Sequence, residues 1–186
     1  MLRYKKMNTR RVIQLSIFLA LSVILGYIES FLPSFVPGIK LGLANVIILI
    51  TLLYFSWWQA LLLSIIRVFI VSLLVGSIFQ FGFYVSLAGA LASFLIMFIL
   101  HIVFKEKISV FGVSIAGSFF HVTAQLFMVF ILMNFNTGTF YYLPWLMLFS
   151  FPMGALTGFI VDLIQKSPIR IALAKENAKG KTKNDK

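Results

Sequence analysis

Polar and charged residues fall in a few short stretches of this chain. The apolar runs between them approach or exceed the ~18 to 20 residues that cross a bilayer as a helix. The runs predict six helices, over residues 12–32, 41–55, 60–75, 83–104, 110–133 and 143–164. Pro33 and Pro37 stop the first run, and Gly38 and Gly42 let the backbone turn closely before the second begins. The second run is short for a perpendicular crossing, which predicts that protein shields its outer end. Ser56-Trp57-Trp58-Gln59 reads as a tight turn with aromatics at interface depth. Residues 76–82, 105–107 and 134–142 supply the remaining turns. The predicted fold class is an all-α membrane protein, a six-transmembrane-helix bundle. Its domains are a basic tail (1–11), the six-helix domain (12–165) and a second basic tail (166–186).

Composition agrees, with 61% of the 186 residues hydrophobic and 11% charged. The charges are unevenly placed. Of the sixteen Lys and Arg, five lie in the first tail, two at Lys105 and Lys107, and seven from Lys166 onward. With six spans all fourteen fall on one side, which the positive-inside rule makes the cytoplasm, so both termini are expected there. Topology therefore explains the net charge of +11, and the tails are expected to meet anionic membrane lipids, with no nucleic-acid partner. The absence of cysteine removes a disulfide frame, a thiolate metal site and a cysteine nucleophile.

Two basic residues stand apart, Lys40 in the first outer loop and Arg67 inside the third run. A charged group beside hydrocarbon needs a partner, water or a ligand. Glu29, Lys40 and Asn45 are placed in the outer third, and Arg67 and His121 nearer mid-span. Gln125 shares the face of His121 one turn further out. These six residues are candidates for a substrate-binding site that opens outward, suited to a small polar or anionic molecule. Two plainer readings stand beside it: Arg67 and Glu29 as a buried structural ion pair, and His121 as a histidine bonded within the bundle. Small residues repeat every four positions at Ser16 and Ala20, at Ser22, Gly26 and Ser30, and at Ala88 and Ala92. Such faces allow close helix approach, within the bundle or against another membrane protein.

The segment Pro37-Gly38-Ile39-Lys40-Leu41-Gly42-Leu43-Ala44-Asn45 resembles the signature of the Gx transporter family, also filed as heptaprenyl diphosphate synthase component I. Tyr27-Ile28-Glu29, residues 60–76 with Arg67-Val68, Ser86-Leu87-Ala88-Gly89-Ala90, and residues 111–117 followed by His121 and Gln125 extend the likeness over most of residues 12–165. After His121 the expected Asn and small residue before Gln are replaced by Val122, Thr123 and Ala124. The family is similar in turn to the substrate-binding S components of energy-coupling-factor (ECF) vitamin transporters. That resemblance implies a multi-pass protein of the bacterial plasma membrane with cytoplasmic termini. It also implies a transmembrane coupling protein and two ATPase subunits as partners, with the face around Ser16, Ala20 and Ser22 expected to dock them.

Three classes of function follow: a substrate-capturing importer subunit, a component of a prenyl diphosphate synthase, and a non-catalytic membrane scaffold. Prenyl transfer from diphosphates needs clustered aspartates to hold Mg²⁺. The two aspartates here are Asp162 and Asp185, far apart in the chain. No G-x-x-x-x-G-K-[ST] motif is present either, so ATP-driven work would belong to a partner. The expectation is a non-enzyme without cofactor or metal. A scaffold would have no use for Glu29, Lys40, Asn45 and Arg67 together.

Overall fold

Where water is absent, a helix satisfies every backbone group within its own segment. The computed structural model describes residues 9–31, 40, 42–104 and 108–167 and contains six α-helices. They are α1 (Thr9–Glu29), α2 (Asn45–Tyr54), α3 (Trp57–Val75), α4 (Phe81–Phe104), α5 (Val110–Leu132) and α6 (Leu143–Lys166). A 3₁₀ turn, Thr137–Tyr142, leads into α6. Pro33, Pro37 and Gly38, the turn at Lys105, and most of both basic tails lie outside the described residues.

Five of the helices are long and apolar enough to cross a bilayer: α1, α3, α4, α5, and α6 with its 3₁₀ turn. The expected second span is the exception. With ten residues, α2 rises about 15 Å, half the ~30 Å hydrocarbon layer. Its residues Asn45 to Leu52 are all buried, and it touches the other five helices. Shielding thus extends beyond its outer end to nearly the whole helix. A helix that is apolar all round is one buried on every side. The Thr51 hydroxyl donates back to the Ile47 carbonyl of its own helix at 2.7 Å. The break before α3 is just Phe55 and Ser56, and Trp57, Trp58 and Gln59 already form its first turn.

Small residues bring the later helices together. A Cβ on Gly117 of α5 would lie 2.8 Å from Met97 of α4. On α6, a Cβ at Gly154 or Gly158 would meet the α5 backbone at Ile115 or Phe111, at 2.7 and 2.9 Å. The Ser114 hydroxyl donates to the Gly154 carbonyl across this contact at 2.9 Å. Gly26 on α1 faces Val71 on α3 in the same way.

Successive helices run in alternating directions. The end of α1 bonds to the start of α2 through Glu29, Trp57 at the start of α3 meets Phe98 late in α4, and Gly158 late in α6 meets Phe111 early in α5. Thr9 and Lys166 therefore lie at the same end of the bundle. At that end a cavity of about 670 Å³ sits between α2, α4, α5 and α6, walled mainly by apolar groups such as Leu49, Leu53, Val113 and Phe159. Its carboxylate, Asp162, is bonded to Lys166 at 2.6 Å.

Candidate functional site

The polar cluster forms at the other end of α2, where the chain enters that helix. Glu29 is at the last turn of α1 and buried, 5% exposed. Its carboxylate accepts the backbone N–H of Gly42 and that of Leu43, the latter at 3.2 Å. The backbone N–H of Lys40 donates to the Gln125 side-chain oxygen at 3.1 Å. The entry to α2 is thus tied to α1 on one side and to α5 on the other. The turn needs glycine, since Gly42 has φ +90°. A Cβ there would also stand 2.8 Å from Asn45 Nδ2 and 3.3 Å from the His121 ring.

The opposite wall comes from α4. A Cβ on Gly89 would lie 2.6 Å from Gln125 Cγ and 3.0 Å from His121 Cε1, so the imidazole is held between the backbones of Gly42 and Gly89. Arg67 enters from α3, 6% exposed, and feels the charge of Glu29. No carboxylate lies within 4.0 Å of it among the described residues. The contact pair of Arg67 and Glu29 is therefore not formed. Glu29 spends its hydrogen bonds on the α2 entry instead. Lys40 is half-buried. Burial pulls its ammonium below the ordinary lysine value, Arg67 acts in the same direction, and Glu29 opposes them.

Glu29, Lys40, Arg67, His121 and Gln125 line one void, together with Gly26 and Ser86. Its volume is about 20 Å³. That suffices for one water, since a water needs ~10 to 15 Å³ measured in this way. The expected open cavity is therefore this small, because the α2 entry and its two anchors fill the space. Asn45 is not among the lining residues; its side chain packs beside Gly42.

The cluster is short of hydrogen-bond partners. Among the described residues, both ring nitrogens of His121, Asn45 Nδ2, Gln125 Nε2 and the Ser86 hydroxyl are buried without one. The Gly89 backbone lies against the His121 ring without giving it a hydrogen bond. Each such group costs ~1 to 3 kcal/mol when left unmet, and buried polar groups of native proteins are normally bonded to protein or water. In the sequence Ser86 and Gly89 stand out only as members of the family-like segment 86–90. Their position opposite His121 and Gln125 is a matter of tertiary contact.

The proposed docking face divides. Ser16 and Ala20 are exposed, whereas Ser22 is fully buried, its hydroxyl donating to the Leu19 carbonyl at 2.8 Å. Six residues of helix turn Ser22 about 240° from Ser16, at ~100° per residue, so the two cannot share a face. Ser22 and Gly26 belong to the buried face of α1. Of the departures after His121, Val122 is absorbed by an apolar cluster with Val85, Leu126, Val129 and Leu146, and Thr123 bonds its own helix at the Phe119 carbonyl.

Apolar helices of this length around a buried polar cluster define a multi-pass helical membrane protein with one polar centre beside a central half-length helix. A family model described as heptaprenyl diphosphate synthase component I matches residues 18–164, and the chain belongs to that family. It is the family to which the Pro37–Asn45 signature pointed. No curated protein and no solved structure matches the chain.

Proposed function

We propose that the chain is the substrate-binding membrane subunit, or S component, of an ECF-type importer. In this role it captures a small polar or anionic molecule from the outer side. The observation that carries the reading is the void by Arg67: two basic side chains face one carboxylate there, and buried donors on His121, Asn45 and Gln125 lack partners. A bound anion with polar substituents would satisfy both the charge and the donors. The remaining residues of the site are Glu29 and Lys40, Glu29 holding the α2 entry in place. A metabolite needs a site of ~300 Å³ or more, so capture requires the helices around the α2 entry to part.

Five crossing helices and the half-span α2 bring Thr9 and Lys166 to one side. The fourteen clustered Lys and Arg make that side cytoplasmic. A membrane coupling protein and two ATPase subunits would supply energy, the chain having no nucleotide motif. The exposed small residues Ser16 and Ala20 on α1 suit the docking of the coupling protein. The family's description favours a second reading, a component of a prenyl diphosphate synthase. The two described carboxylates, Glu29 and Asp162, line different cavities and form no acidic cluster for a metal diphosphate. The polar void is better used by transport.

The test is to purify the chain alone and identify by mass spectrometry the small molecule it carries. That molecule should bind without ATP and be imported only with the partner module. Import by the chain alone in liposomes, at the rate of the full assembly, would overturn the proposal.

A further inference from the structure

The α2 helix begins inside the bundle. Ala44 and Asn45 are buried, and the N–H groups of Asn45, Val46 and Ile47 bond the carbonyls of Gly42, Leu43 and Ala44, which leaves the Gly42 and Leu43 N–H groups of the entering turn to find an acceptor elsewhere. Such groups carry the positive end of the helix dipole and form a ready site for an anion. Here the Gly42 and Leu43 N–H groups both point at Oε1 of Glu29, whose carboxylate occupies the anion position. A second observation marks the same spot. Asn45 Nδ2, buried and without a partner, lies 2.8 Å from where a Cβ on Gly42 would be. Lys40 and Arg67 add two positive charges beside the single negative one, and all three side chains line the void.

The geometry points to Glu29 as a resident anion that a carboxylate or phosphate group of the incoming molecule displaces. This rests on the substrate-binding reading above. The incoming oxyanion takes the Gly42 and Leu43 N–H groups together with Asn45 Nδ2. Glu29 turns to Arg67 or Lys40. Two negative groups then face two positive ones, and the N-terminus of α2 keeps an anion throughout. The exchange explains why a carboxylate sits in a pocket that otherwise attracts anions: it holds the α2 entry shut until a competitor arrives.

Full-length protein in lipid nanodiscs, titrated separately with acetate and with inorganic phosphate, tests this. Glu29→Gln keeps the side-chain shape and removes the competing charge, so the preferred probe should bind at least tenfold more tightly than to wild type. Asn45→Leu added to that variant should abolish the gain. Infrared difference spectra of the wild type on adding phosphate should show a shifted carboxylate band, absent from Glu29→Gln. If Glu29→Gln does not fold, that wild-type band decides alone. Unchanged or weaker probe binding in folded Glu29→Gln, or phosphate binding without a carboxylate band, overturns the exchange. If wild type still carries a copurified molecule in that case, the substrate-binding reading survives. If it carries none and neither probe binds, both fall.

Discussion

Replacing Arg67 by methionine removes a buried charge while keeping most of the side-chain volume. Arg67 has no carboxylate within 4.0 Å among the described residues, and Glu29 is engaged by the α2 entry. The guanidinium therefore has little to lose in the empty protein. Removing it should leave the melting temperature unchanged or raise it, because a buried charge without a contact partner is costly. In the loaded protein a ligand anion about 4 Å away, at an effective dielectric near 20, interacts with it by about 4 kcal/mol. Desolvation takes back part of that, and truncating one member of a buried charge pair costs ~2 to 5 kcal/mol. The expected loss of affinity is thus about 30-fold to several thousand-fold, at ~1.4 kcal/mol per tenfold. Titration of the copurified molecule against Arg67→Met by calorimetry, beside melting curves of both empty proteins, measures the two quantities. A folded Arg67→Met with wild-type affinity would refute the ligand role. A lower melting point restored by adding Glu29→Gln would show that the ion pair matters to folding after all.

Four further outcomes are expected. Gly89→Ala puts a methyl into Gln125 and His121, so it should weaken binding at least tenfold and cost ~1 to 3 kcal/mol of stability in denaturation, while Gly82→Ala, with open space around it, should do neither. Lys40 loses its proton below the ordinary lysine value of 10.5, so affinity for an anion should fall as pH rises through that lowered value, and Lys40→Arg should move the fall to higher pH in binding titrations. Ala20→Trp should abolish copurification of the coupling protein with ligand binding retained, whereas Ser22→Leu, at a fully buried position, should lower the melting temperature first. Because the chain has no cysteine, Thr137→Cys should react with an impermeant thiol reagent in intact cells, and Lys166→Cys only after permeabilisation.

Much of the site was legible before any contact was known. Glu29, Lys40, Arg67, His121 and Gln125 stand out because a polar group inside an apolar run is rare and costly, and they do line one void. Their pairings were not legible. Opposite charges suggested Arg67 with Glu29, but the carboxylate met the α2 backbone, a partner that has no letter in the sequence. Ser22 seemed to share a docking face with Ser16 and Ala20, and the turn of the helix separates them.

What the sequence determined by itself is the class, the positions of five crossing helices and the one-sided distribution of charge. Each follows from the length of an apolar run or the place of a charge along the chain. Tertiary structure decided that α2 is a buried half-span, that Glu29 and Gln125 anchor its entry, and that the void holds little more than a water. The physical reason is that helices facing lipid and helices facing one another are both apolar. Their pattern then carries no direction, and which face turns inward is settled by small residues: Gly154 and Gly158, where two backbones come close enough to pack, and Gly26 and Gly89, where a neighbouring side chain takes the space of a missing Cβ.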